Sequence, residues 1–211
     1  MPKTILFDLD GTLTDSGEGV INCAILALEH FGLPVPDRQT MRVFVGPPLR
    51  DSFVRFGVPP EKAEEAISVY RSRYIPTGIW ENRVYPGIPE LLESLKQQGH
   101  RLLVATSKPE GMATAVLERF GLAQYFAYIC GASMDKSRDS KDAVIACLLE
   151  RIQGSEAVMV GDTHYDVLGA AAHGIPTIGV AWGYGTVEDM QKAGAAAIAD
   201  SPEELLQLLN T

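Results

Sequence analysis

Between Val84 and Leu209, short apolar runs alternate with segments of helical periodicity, and no other feature restricts the fold as much. Leu102-Leu103-Val104-Ala105 precedes a helix expected over about 111–120, and Tyr128-Ile129-Cys130 precedes one over about 141–151. Ala157-Val158-Met159-Val160 precedes a helix near 165–173, and Thr177-Ile178-Gly179-Val180 one near 187–193. A short strand, Ala196-Ala197-Ile198-Ala199, and a helix over 202–209 close the series. Runs this short and this apolar suit strands buried on both faces, so the alternation predicts an α/β fold with a mostly parallel sheet.

The segment from about Ser16 to Ile79 reads differently. Val20, Ala24, Ile25, Leu28 and Phe31 recur at helical spacing, as do Ala63, Ala66, Ile67, Tyr70 and Tyr74. Gly32, Pro34, Pro36, Gly46, Pro47, Gly57, Pro59 and Pro60 cut the segment into several helices. One strand, Thr4-Ile5-Leu6-Phe7, precedes it. The expected division is a sheet core of residues 1–15 and 80–211 with a helical lid, 16–79, inserted after the first strand. Asp15-Ser16-Gly17 and Pro76-Thr77-Gly78 are the expected hinges.

With 211 residues the chain is long enough for one good core and a smaller lobe. A net charge of -9 argues against a nucleic-acid backbone as partner, and any anion must be met by a local basic site. No run approaches the ~20 apolar residues that span a bilayer, and the first residues do not read as a signal peptide. Cys23, Cys130 and Cys147 form neither a zinc pattern nor a disulfide framework; they read as small buried hydrophobes in a reducing cytoplasm.

Ligands of such sheets bind beyond the carboxyl ends of the strands, and four polar signatures stand there. Asp8-Leu9-Asp10-Gly11-Thr12 follows the first strand. Two acids two residues apart suit a nucleophile and a proton or metal handler, and Gly11 permits a tight turn whose amides face an oxyanion. Thr106-Ser107-Lys108 ends the second long run; its hydroxyl and amides suit phosphate oxygens, or equally a helix cap. Lys141 opens a helix and offers an ammonium to neutralise phosphate, against the plainer role of a surface lysine. Gly161-Asp162-Thr163-His164-Tyr165-Asp166 sets two acids one helical turn apart, hard oxygen ligands suited to magnesium. Asp8, Asp10, Asp162 and Asp166 cannot crowd together ionised without a metal and Lys141.

This set, in this order, resembles the haloacid dehalogenase-like hydrolase superfamily along essentially the whole chain. The resemblance implies a Rossmann-like core with an inserted helical cap and a magnesium-dependent phosphatase. It implies attack on phosphorus by Asp8, with Asp10 protonating the leaving alcohol and later activating water. It further implies Mg2+ held by Asp8, the Asp10 main-chain carbonyl and Asp162, with Asp166 nearby. Thr106, the Ser107 amide and Lys141 would then bind the transferring phosphoryl group, with Gly11 and Thr12 contributing from the first turn.

Within the superfamily the chain looks similar to phosphoglycolate phosphatase-like and 5′-nucleotidase-like members. The cap loop Val45-Gly46-Pro47-Pro48-Leu49-Arg50-Asp51-Ser52-Phe53 and the return through Tyr70-Arg71-Ser72-Arg73-Tyr74 and Glu81-Asn82-Arg83-Val84-Tyr85-Pro86-Gly87-Ile88 carry this likeness. Arg50 is a candidate for a substrate anion, with a solvated loop cation as the alternative. Arg71 and Arg73 read as a solvated helix face with ion-pair partners. His164 and His173 read as helix-end residues and Gly183-Tyr184-Gly185 as a turn, while Trp80 and Trp182 suit either core or cleft edge. The rivals are a phosphosugar mutase with the same acids, and a receiver-like signalling module that keeps its phosphate.

Overall fold

The computed structural model describes residues 1–135, 137–152 and 156–210. It contains two compact units, Met1–Thr14 with Val84–Thr211, and Asp15–Arg83.

The chain begins with β1 (Thr4–Phe7), crosses at β2 (Thr14–Asp15), and runs through α1 (Gly17–His30), α2 (Arg38–Met41), α3 (Leu49–Arg55) and α4 (Ala63–Tyr74). It returns through β3 (Arg83–Val84), which forms a two-stranded sheet with β2. Alternation follows: α5 (Ile88–Gln97), β4 (Arg101–Pro109), α6 (Glu110–Arg119), β5 (Tyr128–Ala132), α7 (Lys141–Leu149), β6 (Ala157–Gly161), α8 (His164–Ala171), β7 (Thr177–Val180), α9 (Val187–Lys192), β8 (Ala197–Ala199) and α10 (Pro202–Leu209).

Six strands form one parallel sheet in the order β5-β4-β1-β6-β7-β8. The chain winds outward from β1 through β4 to β5, then returns to β6 on the other side of β1. That reversal opens a crevice at the carboxyl ends of the central strands, the Rossmann-like arrangement. β1 lies between β4 and β6, with Leu6 level with Leu103 and Met159. Those three residues pack against Val144, Ile145 and Leu148 of α7 in a buried cluster. All four β1 residues are buried, which is why Thr4-Ile5-Leu6-Phe7 shows no polar alternation.

The sequence reading missed α5, whose buried Ile88, Leu91, Leu92 and Leu95 keep a clean 3.6-residue spacing behind Gly87. β4 also continues beyond Ala105 to Pro109. Cys130 and Cys147, distant in sequence, are neighbours, and burial with that contact pushes the Cys130 thiol up to about 12. The surroundings are less apolar than expected, since Cys147 and Cys23 each accept an N–H from a guanidinium, Arg138 and Arg73 respectively, at 3.3 Å.

The helical unit buries Val20, Ala24, Ala27 and Leu28 of α1 and Ala66, Ile67, Tyr70 and Tyr74 of α4. Phe44 meets Phe53 and Phe56 with ring centroids 5.1 and 4.9 Å apart. Arg73 has an ion-pair partner, as expected, but is less solvated than expected: it is only partly exposed and donates two hydrogen bonds to Glu81, at 2.8 and 2.6 Å. Among the described residues, no helix is long and apolar enough to cross a membrane.

Candidate active site

β1 delivers Asp8, itself buried, to the crevice directly after Phe7. The turn that follows is closed by its own amides. Gly11 N–H donates to the Thr14 carbonyl at 2.8 Å, and the N–H groups of Thr12, Leu13 and Thr14 converge on the Leu9 carbonyl. Gly11 has φ 90 and lies so close to Asp162 that an added Cβ would sit 2.2 Å from its Oδ2. Only glycine fits both conditions. Gly11 and Thr12, read in sequence as phosphate binders, have these partners in the turn. Their amides are spent within the turn, and the Thr12 hydroxyl donates to Asp162 Oδ1 at 3.0 Å.

β6 delivers Asp162, which is fully buried. Its second oxygen accepts the Tyr184 N–H at 2.8 Å. The Trp182 indole N–H donates to the Thr12 carbonyl at 3.1 Å. The turn after β7 thus braces both Asp162 and the first loop, a role its sequence did not announce. Asp166 closes a capping box at the start of α8, accepting Thr163 N–H at 3.0 Å and its hydroxyl at 2.8 Å. Its other oxygen faces Lys141.

Lys141 is the first residue of α7, placed there by the Ser140 cap, whose hydroxyl accepts the Ala143 N–H. Its buried ammonium lies 2.9 Å from Asp8 Oδ1 and 2.8 Å from Asp166 Oδ1 and donates to the Ala105 carbonyl at 2.9 Å. Burial pulls its pKa down, yet Asp166 and Asp8 together hold it above the ordinary lysine value. Asp8 is pushed up to about 6, first by burial and then by Asp166 and Asp10, against the pull of Lys141. Burial, then Asp166 and Asp8, raise the Asp162 pKa well above the ordinary aspartate value.

Ligand oxygens of Asp8, Asp162 and Asp166 lie within 4.8 Å of one another. Three buried carboxylates facing one ammonium leave negative charge uncompensated, and hard oxygen donors at this spacing suit a divalent cation such as Mg2+. The Asp10 carboxylate stands outside the trio, held by Lys108 at 3.0 and 2.8 Å. The structure brings Thr106 to the same strand end; its hydroxyl accepts the Lys108 N–H at 3.2 Å, and Ser107 is half-buried beside it. Arg50, on α3, finds its partners inside the helical unit, at Glu64 Oε1 (3.1 Å) and the Pro60 carbonyl (3.0 Å).

Lys108 was overlooked in sequence as the tail of a motif. Its position two residues beyond Thr106 on a strand, hence on the same face, was the signal available. Trp182 and Tyr184 gave none, because what they contribute is fixed by where the β7 loop passes.

The haloacid dehalogenase-like hydrolase family matches residues 5–180. A relative named 5′-nucleotidase, from Pseudomonas aeruginosa, is 42% identical over 190 residues, covering 89% of this chain and 86% of its own. Another, named tyrosine-protein kinase PtkA, from Mycobacterium tuberculosis, is 43% identical over 212 residues, covering 99% of this chain and 72% of its own. The crystal structure of a predicted phosphatase from Clostridium acetobutylicum superposes with a TM-score of 0.95 at 42% identity, covering 100% of this chain and 99% of that one. The chain belongs to the haloacid dehalogenase-like hydrolase family. It is a phosphatase of that family.

Proposed function

We propose that the chain hydrolyses small phosphomonoesters, nucleoside 5′-monophosphates or phosphoglycolate, through an aspartyl-phosphate on Asp8. The observation that carries this reading is the buried Asp8–Lys141–Asp166 arrangement at the carboxyl end of the central strand, with Asp10 two residues away. In the first half-reaction an Asp8 oxygen forms a bond to phosphorus while the ester P–O bond breaks. The leaving oxygen takes its proton from the Asp10 carboxyl. In the second, a water oxygen attacks phosphorus, Asp10 accepts its proton, and the Asp8–phosphorus bond breaks to release inorganic phosphate.

Lys141 and Thr106 would offer the transferring phosphoryl oxygens a cation and a hydroxyl, with the Ser107 amide beside them. Asp8, Asp162 and the Asp10 main-chain carbonyl would hold Mg2+, with Asp166 nearby. A divalent ion there neutralises charge on the phosphoryl oxygens and on the carboxylates that surround them. Residues 1–15 and 80–211 form the catalytic core in this reading and 16–79 the cap, with Arg50 as its candidate contact to a substrate anion.

The relative named as a tyrosine kinase favours one other reading, in which a tyrosine hydroxyl exchanges phosphoryl groups with the same aspartate. A single screen separates the two. Phosphate release is measured from nucleoside 5′-monophosphates, phosphoglycolate, sugar phosphates, phosphotyrosine and p-nitrophenyl phosphate, with Mg2+ and with EDTA, beside Asp8→Asn. ATP with a tyrosine peptide forms the final arm. Metal-dependent release that Asp8→Asn abolishes supports the phosphatase reading; transfer to the peptide with no release to water would replace it.

A further inference from the structure

Lys141 pairs with Asp8 and Asp166 and donates to the Ala105 carbonyl. A second buried lysine nevertheless stands at the same strand end, and its ammonium meets both oxygens of Asp10, at 2.8 and 3.0 Å. The Lys108 side chain is 5% exposed and that of Asp10 14%, so the ammonium lies beneath the carboxylate and the carboxylate keeps the more open side.

The backbone that presents Lys108 is itself fixed. Pairing of β4 with β5 shifts register between Thr106 and Pro109. Within that irregularity Lys108 N–H turns to the Thr106 hydroxyl. Gly131 of β5 passes so near that an added Cβ would lie 2.4 Å from the Lys108 carbonyl oxygen. A rigid stem carrying a buried cation to one carboxylate is a means of orienting that carboxylate.

We propose that Lys108 is a positioning residue for the leaving-group side of the reaction: it holds the Asp10 carboxyl at the angle from which a proton reaches the departing ester oxygen. This rests on the assignment of Asp10 as the acid. It goes beyond that assignment by predicting that Lys108 governs discrimination between leaving groups and leaves phosphoryl binding alone. The proton itself travels only between Asp10 and the leaving oxygen as the P–O bond breaks; Lys108 exchanges none.

The test is a comparison of kcat/KM, which reports steps through loss of the leaving group, on two kinds of substrate. One is an alkyl phosphomonoester taken from the screen, whose alkoxide needs a proton to depart. The other is p-nitrophenyl phosphate, whose leaving group departs as a phenolate. Lys108→Met should lower kcat/KM for the alkyl ester by about 100-fold, the lower end of what general acid catalysis supplies, and for the aryl ester by no more than about threefold. Lys108→Arg, which keeps a bidentate donor, should recover part of the loss. Lys108→Met added to Asp10→Asn should cost nothing further on the alkyl ester, because both changes remove one function.

Equal losses on both esters would overturn the proposal, since they would mean a phosphoryl-binding or purely structural role; so would no loss on either. If Asp10→Asn itself fails to discriminate between the esters, the assignment of Asp10 as acid falls. If Asp10→Asn discriminates and folded Lys108→Met does not, Lys108 alone is misassigned. Lys108→Gln, closer in shape, serves if the methionine variant does not fold.

Discussion

Asp8 in the sheet unit and Glu81 in the helical unit each face a basic side chain, Lys141 at 2.9 Å and Arg73 at 2.6 Å, and their carboxyls move in opposite directions. The Glu81 pKa is lowered, chiefly by hydrogen bonds from Arg73. Asp8 is raised to about 6, because burial and two further acids outweigh its one lysine. Glu81 is part of a pair; Asp8 is one of several anions sharing a cation. The helical unit uses charge to hold itself together, while the sheet unit carries a charge imbalance that costs stability and suits phosphoryl transfer.

The largest effect should come from Asp8→Asn. It should lower turnover by at least about 10⁴-fold, the scale seen when a nucleophile is lost. In metal-free protein at pH 8 it should also raise the melting temperature, since a buried charge disappears without a change of shape. A melting curve beside a phosphate-release assay checks both, and a fall in melting temperature would mean that Asp8 is stabilising after all.

Lys141→Met comes next. It leaves Asp8 and Asp166 without their cation and should cost about 3–5 kcal/mol in denaturant unfolding, along with activity. The third effect is one of pH and metal. A carboxyl whose folded pKa is raised favours the folded state below its unfolded value of 3.8 and loses that advantage as pH rises through about 6. Metal-free protein should therefore lose stability across that window, and Mg2+ should restore more at pH 7.5 than at pH 5, as thermal melts with and without EDTA will show.

Glu81 has the reverse sign. Its stabilisation is present above the unfolded value of 4.5 and disappears as pH falls through its lower folded pKa. Arg73→Met should cost about 1 kcal/mol near neutrality and less in acid, with kcat/KM for p-nitrophenyl phosphate within twofold of the parent. Smallest of all is Arg50→Ala, worth about 0.5 kcal/mol as an exposed pair with Glu64. An unchanged kcat/KM on every accepted substrate would remove Arg50 from the list of substrate contacts.

Much of the fold was legible because central parallel strands must be apolar throughout, so β1, β6 and β7 stood out as uninterrupted runs. Thr177–Val180 matched to the residue, since glycine and proline residues bound it on the sequence side and burial on the other. Asp8, Lys141, Asp162 and Asp166 were readable as chemistry because each follows such a run or opens the next helix. The remainder depends on contacts between loops far apart in sequence. That the Thr12 hydroxyl serves Asp162, that Tyr184 N–H does the same, and that Lys108 grips Asp10 across 98 positions are facts of three-dimensional closure. Local pattern could set Lys108 on the face of Thr106, but it names none of these partners.

The place of β1 in the sheet order has a consequence for how the chain is made. The strand is made before both of its neighbours, β4 and β6, which lie about 100 and 150 residues downstream. At roughly 5–20 residues per second, Ile5-Leu6-Phe7 waits on the order of 8–30 s on the ribosome before its second edge is covered. The inserted helical unit, complete by Arg83, can fold during that interval. The segment that carries the proposed nucleophile is thus the one most exposed to mispairing at birth, and a nascent-chain binder that shields apolar strands should find its strongest site there.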